Sequence, residues 1–251
     1  MQRGANAATL SVDSHRDQGL ATNNSALQPS DPKERHRALF RPLFFGLTAG
    51  LLLLAFALLG GEVLEGETRS FDTYLLREAQ SLRARHPGVA DVMRDLSGLG
   101  STVVLTLFTV ITVGYLVVVS ARVTALVAAV SVVSGSVLVG VFKSSFGRLR
   151  PDAAYSDIAA SGLSFPSGHA TMSAAVFLTI GTLIASRRTA WNERVYILLA
   201  AATLTVLVGV SRVVLGVHWS TDVAGGWAFG SGWAIVWLLV ARHAARRDPT
   251  R

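Results

Sequence analysis

Six stretches of this sequence, roughly residues 43–61, 96–121, 123–142, 170–186, 195–211 and 223–241, are apolar and free of charged side chains. A helix needs about 20 apolar residues to cross a bilayer, with a working range of about 17–25. All six runs qualify, the fourth and fifth at the short end. The fold expected is therefore all-α, a bundle of six transmembrane helices. Composition agrees: 51% of residues are hydrophobic, 16% are charged and the mean hydropathy is +0.45, whereas a soluble domain carries about 25% charged residues.

The net charge of +7 and pI near 10.7 do not point to nucleic acid. The basic residues flank the apolar runs, and no basic stripe is interleaved with aromatics. With no cysteine in the chain, disulfides, thiolate catalysis and Cys-based zinc sites are excluded. Residues 1–38 are polar, rich in Asn, Ser and Ala, and without periodicity, as expected of a disordered cytoplasmic tail. They have no apolar core directly after a basic start, so they do not read as a secretory signal. A six-span domain over 39–243 and a basic cytoplasmic C-terminus over 244–251 follow.

Loop charge sets the expected orientation. Lys33, Arg35, Arg37 and Arg41 precede the first span, Arg122 sits in the second turn, and Arg187, Arg188 and Arg194 fill the fourth loop. Arg242, Arg246, Arg247 and Arg251 follow the last span. With six spans these cations share one side, which the positive-inside rule makes cytoplasmic, as are both termini. The opposite, extracytoplasmic side receives residues 62–95, 143–169 and 211–222. In the first of these the apolar positions 71, 74, 75, 79 and 82 have helical spacing. Short amphipathic helices at the outer interface, interrupted at Pro87, are expected there.

The other two outer segments hold three polar clusters. "KSSFGRLRP" carries Lys143, Arg148, Arg150 and Pro151. Cations at an outer helix end run against the positive-inside bias, and an anionic ligand would account for them: Arg forks onto two phosphate oxygens and Lys acts as a point charge. In "FPSGHATMS", Pro166 suits a first helical turn and Ser167 or Gly168 a helix start. Free N–H groups there make an anion site beside His169. In "SRVVLGVHWSTD", His218 and Asp222 are four apart, within reach on one helical face. A carboxylate on one ring nitrogen fixes the tautomer and leaves the other lone pair free as nucleophile or base. Arg212, near the end of the fifth span, is an intramembrane cation and by that fact a functional candidate.

Together these clusters read Lys143-x6-Arg150-Pro151, then Pro166-Ser167-Gly168-His169, then Ser211-Arg212-x5-His218-x3-Asp222. This three-part pattern resembles the signature of the type 2 phosphatidic acid phosphatase superfamily, with no departure in spacing or identity, over roughly residues 40–243. The resemblance implies phosphoryl transfer without a metal or other cofactor. His218 would be the nucleophile that forms a phosphohistidine, and Asp222 would orient it. His169 would protonate the leaving oxygen and later activate water. Lys143, Arg150, Arg212, Ser167 and the Gly168 N–H would cradle the phosphate.

The substrate implied is a membrane lipid phosphate or pyrophosphate, with undecaprenyl pyrophosphate and phosphatidylglycerol phosphate the leading candidates, in the plasma membrane. A lipid phosphotransferase would use the same residues and pass the phosphate to an acceptor alcohol. A vanadate-binding haloperoxidase shares the cradle, but its resemblance is to soluble proteins. A non-catalytic lipid-binding protein would not need both histidines and the aspartate intact.

Overall fold

A computed structural model describes residues 32–246. They form eight α-helices: α1 (Pro32–Glu65), α2 (Arg69–Arg85), α3 (Gly88–Gly98), α4 (Thr102–Val118), α5 (Arg122–Phe146), α6 (Gly168–Ala185), α7 (Trp191–Val214) and α8 (Ser220–Arg246). Among the described residues there is no strand. The protein is all-α with six candidate spans: Pro42–Glu65, Gly88–Val118, Arg122–Phe146, Gly168–Ala185, Trp191–Val214 and Ser220–Ala245. The chain divides within α1 into two units, 1–41 and 42–251. Of the first, residues 32–41 are described and are helical. The tail expected over 1–38 thus lies outside the described residues up to 31, and 32–38 form the first turns of α1. The C-terminal stretch is helical to Arg246, and 247–251 lie outside the described residues.

The second span differs from its expected form. Instead of one run starting near 96, it is built from α3 and α4 with a break at Leu99–Ser101. Ser101 caps α4 by accepting from the Val104 N–H at 3.3 Å. Gly100 lets the break pack tightly, since a Cβ there would lie 2.3 Å from Val208 Cγ1 and 3.3 Å from His169 Cδ2. The interfacial helix α2 ends before Pro87, as expected. It buries Asp72, Leu76 and Ala79 and leaves Phe71, Tyr74 and Leu82 exposed. Apolar spacing marks the interfacial helix but not the burial of Asp72, because an ionisable group beside a membrane is best placed inside the bundle with partners.

The spans are unequally enclosed. Half of the Gly168–Ala185 window is buried, against 11% for Gly88–Val118, so α6 is the central helix. Its neighbours approach through small residues, where close packing supplies the attraction that lipid-exposed surfaces cannot. A Cβ at Gly230 of α8 would fall 2.2 Å from the Thr171 carbonyl oxygen, and one at Gly226 would fall 2.9 Å from the Ser167 oxygen. Gly181 of α6 meets Ala201 of α7 in the same way, at 2.8 Å. Overpacking such a contact typically costs about 1–3 kcal/mol.

An aromatic cluster fixes the entry to α6. Phe165 is fully buried, stacks on Phe56 of α1 with centroids 5.7 Å apart, and meets Phe146 of α5 edge-on at 4.7 Å. Phe229 and Trp233 of α8 continue the cluster. The residue just before Pro166-Ser167-Gly168-His169 is thereby anchored to three helices.

Candidate active site

Every residue singled out from the sequence lies at one end of the bundle. Lys143 is in the last turn of α5 and Arg150 in the loop beyond it. Ser167, Gly168 and His169 start α6, Arg212 is in the last turn of α7, and His218 and Asp222 flank the start of α8. Backbone hydrogen bonds tie the three segments together. Ser164 N–H donates to the Arg148 carbonyl at 2.8 Å, and Ser167 N–H donates to that of Asp222 at 2.9 Å. Lys143 Nζ donates to the Leu163 and Ser164 carbonyls at 2.6 and 3.2 Å, holding the approach to α6 against α5.

Two local geometries differ from expectation. Pro166 precedes the N-cap and is not in the first turn, because α6 begins at Gly168 with Ser167 as its N-cap. Nor is His218 on a helix; it sits in the turn before Ser220. Gly216 makes that turn with φ of 74°, and a Cβ there would lie 1.9 Å from the Tyr155 carbonyl oxygen. The four-residue pairing survives through capping. From the first turn of α8, Asp222 Oδ2 reaches back to accept from Trp219 N–H at 3.0 Å and lies 3.2 Å from His218 Nδ1. This is one half of a capping box, with the imidazole as an added donor.

His218 is almost completely buried, and both ring nitrogens are engaged. With Nδ1 on Asp222, the Nε2 lone pair faces Arg150 Nη1 at 3.1 Å. A guanidinium has no lone pair to offer, so it can only donate, which assigns the tautomer: Nδ1–H toward Asp222 and Nε2 as acceptor. Burial pushes His218 down to about 4, and Arg150 and Lys143 push the same way, against the hydrogen bond and charge of Asp222. The imidazole is therefore neutral at neutral pH. Burial also lowers Arg150, with Asp222 opposing, but a guanidinium remains a cation.

Two buried polar atoms of the cluster, Ser167 Oγ and Arg212 Nε, have no protein partner. Arg212 Nη1 donates to Ser97 Oγ of α3, which orients the guanidinium. The N–H groups at the start of α6 lack intrahelical acceptors, as at any helix start. The charges of Arg212, Arg150 and Lys143 all act on His169. Cations, a hydroxyl and helix N–H groups thus surround two imidazoles, a donor set suited to phosphate.

A groove of about 840 Å³ leads to this cluster between α4 and α5. Its lining includes Thr106, Val110, Val113, Val133 and Val137 and extends to Gly168 and His169. Another apolar cavity, of about 630 Å³, lies at the far end of the bundle beside Arg187, Arg188 and Arg242, away from the histidines.

Sequence reading missed one component. Arg148 donates to Asp222 Oδ1 at 2.7 Å and to Asp72 Oδ2 at 2.6 Å, so it bridges two fully buried carboxylates. Arg148 was visible only as one more cation of its cluster. Asp72 carried one clue, an acid within the amphipathic "SFDTYLL"; its partners are 76 and about 150 positions away.

Known proteins resemble this chain in sequence and in fold. The family model described as the PAP2 superfamily matches residues 124–247. Phosphatidylglycerophosphatase B of Bacillus subtilis is 41% identical over 93 residues, 36% of this chain and 44% of that protein. Lipid A 1-phosphatase of Rhizobium johnstonii is 32% identical over 119 residues, 44% of this chain and 45% of that protein. The chain therefore spans less than half the length of these curated relatives. Among solved structures, that of a transmembrane PAP2 type phosphatidylglycerolphosphate phosphatase from Bacillus subtilis matches with a TM-score of 0.71 and 27% identity, over 81% of this chain and 99% of that one.

Proposed function

Because this chain belongs to the PAP2 superfamily, we propose that it is an integral-membrane lipid phosphatase working through a phosphohistidine on His218. The observation that carries the reading is the state of that imidazole: Nδ1 held by Asp222, and the Nε2 lone pair under the Arg150 guanidinium. When the substrate phosphate takes the Arg150 donors, Nε2 is released toward phosphorus. The Nε2–P bond forms as the P–O bond to the lipid breaks, and His169, protonated once the phosphate dianion lies beside it, gives its proton to the leaving oxygen. His169, now neutral, then takes a proton from water as that water attacks phosphorus. The N–P bond breaks, inorganic phosphate departs and His218 returns neutral.

Lys143, Arg150, Arg212, Ser167 Oγ and the Gly168 N–H cradle the equatorial oxygens. Preplaced donors aimed at developing charge are the largest catalytic contribution in such sites. The groove between α4 and α5 favours a lipid, since it allows the phosphate to reach His169 while the chains stay in an apolar channel. Phosphatidylglycerol phosphate and undecaprenyl pyrophosphate are the leading substrates, the former matching what the relative and the solved neighbour are named for.

Release of inorganic phosphate from a panel of isoprenoid and glycerolipid phosphates, with purified protein in EDTA, tests this reading. Three cations line the cradle, and among the described residues no three His, Asp or Glu side chains converge as metal ligands. Activity is therefore expected to persist in chelator and to be blocked by vanadate, which adopts the trigonal-bipyramidal geometry of the transition state. Activity lost in EDTA and restored by Mg²⁺ would refute the mechanism.

We propose further that the site faces outward and both termini lie in the cytoplasm of a plasma-membrane protein. Arg187, Arg188 and Arg242 share the end opposite the histidines, and positive loops stay inside. Cysteines placed at the exposed positions Ala160 and Thr189, in a chain that has none, test this in intact cells. An impermeant thiol reagent should label Ala160→Cys and spare Thr189→Cys; the reverse would invert the topology.

A further inference from the structure

Asp72 is the most completely partnered acid among the described residues, yet it lies in α2, far from the three motifs in sequence. It is fully buried. Its Oδ1 accepts from Ser220 Oγ at 2.5 Å and from Thr221 N–H at 2.9 Å, both at the start of α8. Its Oδ2 accepts from Thr221 Oγ1 at 2.6 Å and from Arg148 Nη2 at 2.6 Å. Arg148 then spends its other terminal nitrogen on Asp222 Oδ1 and Thr221 Oγ1, with its guanidinium 5.5 Å from the Trp219 ring. Burial raises the Asp72 carboxyl, but the hydrogen bonds of Ser220, Thr221 and Arg148 outweigh it and keep Asp72 below the usual carboxylate range. It is ionised.

We infer that Asp72 is a positioning residue of the phosphoryl-transfer site, acting through Arg148 to keep Asp222 effectively anionic toward His218. This rests on the function proposed above. Were Arg148 paired with Asp222 alone, the two charges would cancel and a neutral dyad would face the imidazole. With Asp72 on the other arm of the fork, Arg148 is shared. The trio Asp72–Arg148–Asp222 then carries one net negative charge while His218 is neutral. When Nε2 bonds to phosphorus the ring becomes an imidazolium, and the buried cluster becomes neutral. A buried charge without a partner is costly, so the third charge favours the phosphorylated ring over the free one.

Other groups facing His218 do not supply this charge. They are Arg150 from the loop after α5, Lys143 from α5 and His169 from α6, with Arg212 from α7 beside His169, all cationic or neutral. Asp72 also gives α2 a purpose beyond covering the bundle. The same helix sends Arg83 to the Val214 and Tyr155 carbonyls and Gln80 to that of Ala154, so it is fastened along the turn that carries His218.

The test is Asp72→Asn, nearly isosteric, read in the partial reactions. Without the Asp72 charge His218 is less basic, so it attacks phosphorus more slowly and leaves it more readily. Phosphoenzyme formation from a lipid monophosphate in rapid quench should slow about 10–100-fold, the scale of outer partners that orient a functional imidazole. Phosphoenzyme hydrolysis should be unchanged or faster. The acidic limb of kcat/KM should move to lower pH, by less than the 1–3 units of a directly adjacent charge.

A merely structural Asp72 would slow both steps, and loosening that admits water would move the limb upward. Asp72→Asn/Arg148→Gln restores the net negative charge and should recover part of the phosphorylation rate, although it removes one more hydrogen-bonding group. If Asp72→Asn does not fold, comparing Arg148→Gln with the double variant reads the same charge. Adding Asp72→Asn to that background should again slow phosphorylation and lower the limb. Both steps slowed alike, or a limb that stays or rises, would overturn the inference while wild-type phosphohistidine formation leaves the function intact. A wild type that forms no phosphohistidine would overturn both.

Discussion

His218→Ala is expected to show neither turnover nor phosphoenzyme with any substrate, because His218 is the imidazole that a carboxylate holds at Nδ1 with Nε2 left as acceptor. His169→Ala should behave differently. Its role is to protonate a leaving alkoxide, so the loss with a lipid monophosphate should be about 10²–10⁴-fold, the usual worth of general acid catalysis. An aryl phosphate such as p-nitrophenyl phosphate leaves without a proton, and with it the first step of His169→Ala should be close to normal. The second step still lacks its base, so phosphoenzyme should accumulate. Rapid-quench trapping with labelled substrate separates the two. An aryl phosphate that rescues His218→Ala and not His169→Ala would mean that the two roles are reversed.

Asp222→Asn is expected to be nearly as damaging while leaving binding almost intact. In the wild type both carboxylate oxygens accept, Oδ1 from Arg148 and Oδ2 from Trp219 N–H and His218 Nδ1–H. An amide has one accepting oxygen, and Arg148 and Trp219 are fixed donors that cannot turn away. The amide NH₂ must then face either Arg148 or Trp219 N–H and His218 together. Facing His218, it needs Nδ1 as acceptor, which puts the proton on Nε2 and removes the nucleophile. The same carboxylate-to-amide change costs about 10⁴-fold in a serine protease by inverting the tautomer, and a fall of that order in kcat is expected here. KM should change little, because Lys143, Arg150, Arg212 and Ser167 remain. A kcat within tenfold of wild type would remove Asp222 from the mechanism.

The features legible in the sequence are those with a short range along the chain. Apolar runs set the six spans, since their length must match the bilayer wherever they pack. His218 and Asp222 are four residues apart, so one turn of chain brings them together even though His218 lies just outside the helix. The break that makes α3 and α4 separate helices was not legible. Its reason is the packing of Gly100 against Val208 and His169, more than 65 positions onward.

The inward face of α2 shows the same limit. Periodicity marked an amphipathic helix at the interface and left out Asp72, whose carboxylate needs donors that α2 does not have. Ser220, Thr221 and Arg148 supply them only once α2, α8 and the loop after α5 meet. Arg148 looked like a spare cation until two carboxylates closed on it from opposite sides. Spacing along a chain reports which side chains share a turn of helix. Where a buried charge finds its partners is decided by which helices pack together, because only there does desolvation make an unpaired charge too costly to keep.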